Sequence, residues 1–101
     1  MAIALFIRHQ ALPGKRDEVR QVWEKFVKPR ANANPAHQAY FYCYDESDAD
    51  VIMVYQQYPD ATSASEFMKG SWYSDYLNEV GQFIAMPPHV TTAKVIWAKG
   101  P

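Results

Sequence analysis

Cysteine is almost missing from this sequence: Cys43 is the single one in 101 residues. A lone thiol excludes an internal disulfide and any cysteine-rich metal site. Glycine is scarce, at four residues, and GxGxxG, phosphate-loop, HExxH, CxxC and GxSxG patterns are all lacking. Common dinucleotide, nucleotide and zinc-protease chemistries therefore lack their usual signatures. There is no excess of basic charge, the formal net charge being −1. Without a basic stripe to follow a phosphate backbone, nucleic acid is not an expected partner. Long apolar runs are absent as well. Met1 to Ile7 is apolar, but Arg8 ends the run far short of a bilayer's thickness, and no basic leader precedes it. The expectation is a cytoplasmic protein with no membrane partner.

What is present is apolar and aromatic. Hydrophobic residues make up 49% of the chain and aromatics 15%, with 7 Tyr, 5 Phe and 3 Trp. The length fits one domain, residues 1–101. A domain this small buries a modest share of its surface, and pairing with a second copy is a common remedy.

Periodicity gives the order β-α-β-β-α-β. Ala2 to Ala11 reads as a strand, stopped at Leu12-Pro13-Gly14-Lys15. Val19, Val22, Trp23, Phe26 and Val27 form a helical stripe, with Asp17 and Glu18 in its first turn; Pro29 interrupts it and Asn32-Ala33-Asn34-Pro35 ends it. Gln38–Tyr44 and Val51–Tyr58 flank an acidic turn and form a hairpin. Asp60 is an N-cap candidate, followed by Ala61, Ala64, Phe67 and Met68 on one stripe; Ser71 is expected to cap a second helix carrying Tyr73, Tyr76, Leu77, Val80 and Ile84. His89 to Ala98 returns to strand. This is the α+β, ferredoxin-like βαββαβ arrangement: a four-stranded antiparallel sheet with helices on one face. The strands nevertheless carry large apolar groups on both faces. A face that no helix covers should alternate to polar residues, so the pattern predicts a homodimer joined through its sheet faces.

Three histidines are the first candidates for chemistry. His9 ends the first strand, and His89 opens the fourth, which should lie beside it; His37 opens the second strand at the opposite end. A His9–His89 pair could share a proton or contribute to a metal site, but further ligands are not marked. The acidic turn Asp45, Glu46, Asp48, Asp50 lacks the length and the glycine of a calcium loop and reads as a solvated tip. Phe67, Trp72, Tyr73, Tyr76 and Phe83 crowd the second helical region, either as core or as the wall of a pocket for a flat aromatic ligand. Cys43 reads as an inert, buried thiol among tyrosines rather than a nucleophile.

Three segments together resemble the antibiotic biosynthesis monooxygenase family. They are Pro13-Gly14-Lys15-Arg16-Asp17-Glu18-Val19; Asn34-Pro35-(x4)-Tyr40; and Tyr58-Pro59-Asp60-(x6)-Phe67-Met68-Lys69-Gly70-Ser71-Trp72-Tyr73. The resemblance covers nearly the whole chain and implies a dimeric α+β barrel. It also implies one of several activities: cofactor-independent oxygenation of quinols or anthrones, haem degradation, or isomerisation of a small sugar phosphate. Haem-degrading relatives carry an asparagine, a tryptophan and a histidine where this chain has Ile7, Phe67 and Leu77, so the axial ligand is missing. Many other members have a histidine in place of Phe67, and that base is missing too.

Cofactor-free oxygenation needs a base, hydrogen-bond donors for an oxyanion and a dry pocket. Here the base would be His9 or His37. Arg8, Tyr40, Tyr42, Trp72 and Tyr76 would orient a phenolic substrate, with Phe67 and Phe83 as walls. Strand parity is open at this point, so Arg8 and His9 compete for the pocket. The expected function is oxidation of a quinol-like or polyphenolic substrate by dioxygen, with no cofactor and no metal. The alternatives are a non-catalytic small-ligand binder or an isomerase on the same fold.

Overall fold

A computed structural model describes residues 1–100, so the expected domain is covered except for Pro101, which lies outside the described residues. The chain runs β1 (Ile3–Gln10), α1 (Arg16–Phe26), α2 (Lys28–Ala33), β2 (Ala39–Tyr44), β3 (Val51–Tyr58), α3 (Ala61–Phe67), α4 (Ser71–Val80) and β4 (His89–Lys94). The four strands form one antiparallel sheet in the order β2-β3-β1-β4. This is the ferredoxin-like α+β topology that the hydrophobic pattern predicts.

Alternation along β1 sorts its side chains between the two faces. Leu5 and His9 are buried beneath the helices with Ile7 between them, whereas Phe6 and Arg8 are exposed on the other face. On β3, Ile52, Val54, Gln56 and Tyr58 turn inward, all buried. The main core joins Val19, Val22 and Val27 from the first helical region with Ile52, Val54, Tyr76 and Val80. At about 25 cal/mol per Å² of apolar area, each such fully buried Val, Leu or Ile contributes roughly 1.5–3 kcal/mol.

Two local devices hold the hairpin end to α1. The Arg16 guanidinium donates to the backbone carbonyls of Asp45, Asp48 and Val51 at 3.0–3.2 Å and lies 3.9 Å above the Tyr44 ring. Asp45 in turn accepts from the Ser47 and Asp48 N–H groups, fixing the acidic tip as a turn.

Several boundaries differ from the sequence expectation. Pro29 does mark the interruption between α1 and α2 and Ala33 the end, but the sequence did not show that Pro29 sits in the first turn of a separate helix, where its missing N–H would have no intrahelical partner. Asp60 does cap α3, accepting from Ser63 N–H at 2.7 Å. Ser71, however, is the first residue of α4, and Gly70 is the N-cap. Ile84 is not on α4 but bridges to Ala11 beyond the helix end. β4 stops at Lys94, after which Val95 N–H still reaches the Ala2 carbonyl while Ile96 and Trp97 stand exposed. His89 pairs with Arg8 rather than His9, so the two histidines take opposite faces of the sheet and no His9–His89 pair forms.

Candidate functional site

Between the inward sheet face and the helices lies a cavity of about 380 Å³. Its floor is Leu5, Ile7 and His9 of β1, Val54 and Gln56 of β3, Tyr40 of β2 and the start of β4. Its roof is Trp23 and Val27 on one side, and Phe67, Met68, Trp72, Tyr73, Tyr76 and Leu77 on the other. No Asp, Glu, Lys or Arg lines it. Such a box favours a flat, uncharged, aromatic guest oriented by a few polar groups.

Those polar groups are few. His9 is buried, and the absence of water around it lowers its pKa to about 4. At neutral pH its ring is therefore uncharged and keeps a free lone pair. It is the one titratable base among the lining side chains. The Tyr40, Tyr73 and Tyr76 phenols are shifted the other way by burial, Tyr40 up to about 12, and stay protonated as donors. Tyr40 Oη accepts from Trp23 Nε1 at 2.9 Å, which leaves its own proton for another acceptor.

At the far end of the floor is Gln56, with 7% of its surface exposed. Its Oε1 receives the Tyr58 hydroxyl in a close contact and faces His37 Nε2 at 3.4 Å. Gln56 pairs with Leu5, four residues from His9, so the two lie about 13 Å apart along the strands.

Of the side chains singled out in the sequence, the cavity brings together His9, Tyr40, Phe67, Trp72 and Tyr76. Arg8 is elsewhere, on the opposite sheet face beside Met53 and His89. Tyr42 stacks on Trp23 at 4.0 Å between ring centroids, and its buried hydroxyl has no partner among the described residues. Phe83 packs against the core behind α4, and its carbonyl accepts the Leu12 N–H. His37 stands at the Gln56 end of the cavity without lining it, edge-on to Phe67 and linked to the cavity through Gln56. Sequence reasoning missed Gln56, although a glutamine sharing parity with Ile52, Val54 and Tyr58 is a polar residue in a core-facing row. Among the described residues, no group of three or more His, Cys, Asp or Glu could hold a metal ion.

One antiparallel sheet roofed on one side over an uncharged aromatic cavity defines the chain as a ferredoxin-like α+β protein with a small-molecule-sized interior. Solved structures share this architecture over almost their full length. One is Rv0793 of Mycobacterium tuberculosis, with TM-score 0.83 and 19% identity, covering 99% of this chain and 100% of that one. A second, from Nitrosomonas europaea and provisionally assigned as an antibiotic biosynthesis monooxygenase, gives TM-score 0.86 at 11% identity over 98% and 94%. A third, named an antibiotic biosynthesis monooxygenase, gives 0.80 at 13% over 93% and 98%. At these identities the likeness establishes the fold. No family model matches the sequence, and no curated protein matches it either.

Proposed function

We propose that this chain is a cofactor-independent monooxygenase of the antibiotic biosynthesis monooxygenase family, acting on a quinol-like or polyphenolic aromatic substrate. The observation that carries this reading is His9: a neutral proton acceptor inside an aromatic cavity free of formal charge. A neutral phenol enters, and His9 takes its proton. The product is an imidazolium–phenolate pair, whose attraction in an apolar surround offsets the cost of charging a buried ring. The phenolate then passes electrons to dioxygen. For a quinol, one oxygen atom enters the ring and the other leaves as water, so quinol and O₂ give a hydroxyquinone and water. Both electrons and atoms balance with dioxygen as the sole oxidant. Because His9 and Gln56 lie about 13 Å apart along the strands, a fused polycyclic substrate reaches both, whereas a single ring reaches one.

The reading extends to the assembly. Phe6, Phe41 and Met53 are 48%, 60% and 40% exposed on the sheet face opposite the cavity, with Tyr55 between the two phenylalanines. A second copy seated there would bury this patch and make the dimeric barrel. Cys43 is exposed on the same face, and a free thiol suits a reducing compartment such as the cytoplasm. No helix among the described residues is long and apolar enough to cross a membrane.

The alternative, a non-catalytic aromatic-ligand binder, draws support from the nearly all-apolar lining. Oxygen uptake separates the two. With a chelator present, a panel of quinols and anthrones should give turnover that His9→Ala reduces by about 10²-fold or more. Full activity in that variant would remove the histidine-base reading, and no uptake with any panel member would favour the binder.

A further inference from the structure

A chain of hydrogen bonds at the Gln56 end of the cavity begins at a group that has only one orientation. The backbone N–H of Ala36 donates to Asn34 Oδ1 at 3.2 Å. That contact fixes the Asn34 amide, so its Nδ2 is the atom 3.0 Å from His37 Nδ1, and it donates there. His37 Nδ1 is thereby an acceptor, and the proton of the neutral ring resides on Nε2. Nε2–H faces Gln56, which must offer an acceptor, and Oε1 is the atom found there at 3.4 Å. The Tyr58 hydroxyl donates to the same oxygen. With Oε1 held from two sides, the Gln56 amide cannot turn over without setting a donor against the His37 donor. Its Nε2 hydrogens are left without a partner among the described residues, on a side chain more than nine-tenths buried that lines the cavity. The relay is closely packed, since the His37 ring lies 4.5 Å from the Tyr58 ring centroid and 4.4 Å from that of Phe67.

We propose that Gln56 Nε2 is the hydrogen-bond donor for the substrate's second oxygen, the one at the end remote from His9 onto which a fused ring system delocalises the phenolate charge, with Tyr58, His37 and Asn34 as positioning residues that keep the amide turned toward the cavity. This deepens the proposed function by assigning the oxyanion end of the site. An amide aimed in advance stabilises negative charge as it forms without having to reorient, which is the source of its value in an apolar surround. The ligand class is an aromatic hydroxyl that ionises on binding, as against an ether or a hydrocarbon of the same shape.

The test needs no turnover. 4-Nitrophenol, whose neutral and ionised forms absorb at different wavelengths, is titrated into the full-length protein alongside 4-nitroanisole, which has no ionisable oxygen. The wild type should bind the phenolate in preference to the anisole. Gln56→Leu should weaken phenolate binding about tenfold or more, the scale of a hydrogen bond to a charged group, while changing anisole binding less than about threefold. Gln56→Leu strands two donors and could fail to fold. Gln56→Glu keeps an acceptor for Tyr58 and His37 but exchanges the amide hydrogens for a carboxylate, and above neutral pH, where lost donation and like charge act together, it should lose the phenolate as well. His37→Phe, which frees the amide to rotate, should give a smaller loss of the same sign. Equal phenolate affinity in wild type and both Gln56 variants overturns the proposal, and so does a wild type that prefers the anisole. Phenolate binding of this kind without oxygen uptake would retain the donor and remove the monooxygenase reading. Quinol oxidation indifferent to Gln56 would do the reverse.

Discussion

At the scale of single residues, burial decides what each histidine can do. His9 is held neutral by desolvation, with a pKa near 4 against an ordinary 6.5. The unfolded chain therefore binds a proton that the folded chain refuses between those two values, and stability falls as pH drops through that window. The sign follows from the depressed folded-state pKa of a base. The contribution is fully present above about pH 6.5, and about 3 kcal/mol is gone by pH 4. Denaturant titrations from pH 7 to pH 4 should show this decline, and His9→Leu should flatten most of it. A residual slope of the same sign belongs to His37, whose pKa burial also lowers. An unchanged slope in His9→Leu would remove the buried neutral histidine. The sequence marked His9 as a candidate but left its face open, because Leu5, Phe6 and Ile7 put apolar groups on both parities of β1. His37 was legible as a histidine at a strand entrance. Its relay was not, because Asn34, Gln56 and Tyr58 meet it only in three dimensions.

At the scale of elements, the joint between α3 and α4 sets the cavity wall. Gly70 has φ +116°, a conformation side chains rarely adopt, and a Cβ there would sit 3.1 Å from the Trp72 ring. The turn therefore does two things, starting α4 and pressing Trp72 against Phe67, their ring centroids 5.4 Å apart. Gly70→Ala should cost at least about 1 kcal/mol and displace the indole. The expected readout is a lowered Tm together with a shifted tryptophan emission and weaker aromatic-ligand binding. A variant equal to wild type in all three would show that the joint tolerates a side chain. Strand β3 was legible to its last residue, since Val51 to Tyr58 is rich in β-branched and aromatic residues, with Met53, Gln56 and Gln57 between them. The helix boundaries were less so. Ser71 suits both the cap and the first helical position, and Gly70 holds the cap.

At the scale of the whole molecule, the two faces of the sheet divide the labour. Leu5, Ile7 and His9 serve the cavity, and the intervening Phe6 and Arg8 serve the other side. If a second copy covers that side, Phe6→Lys with Phe41→Lys should convert a dimer into a monomer in sedimentation at micromolar concentration, because two desolvated lysines would meet their own images across the axis. A wild type that already sediments as a monomer would end the dimer proposal. The apolar excess on both faces was visible in the sequence. The choice of face was not, because Arg8 and His9 are both polar and adjacent, and only contact with Val19, Val22 and Tyr76 from above tells inside from outside.

The placement of the cavity has a consequence for how the protein would respond to its ligand. The described walls lie on the sheet face opposite Phe6 and Phe41. If a second copy seats on Phe6 and Phe41, the sheet stands between it and the cavity. Occupancy of one copy's cavity should pass unnoticed by the other, and saturation should follow a simple hyperbola whether the chains are paired or diluted apart.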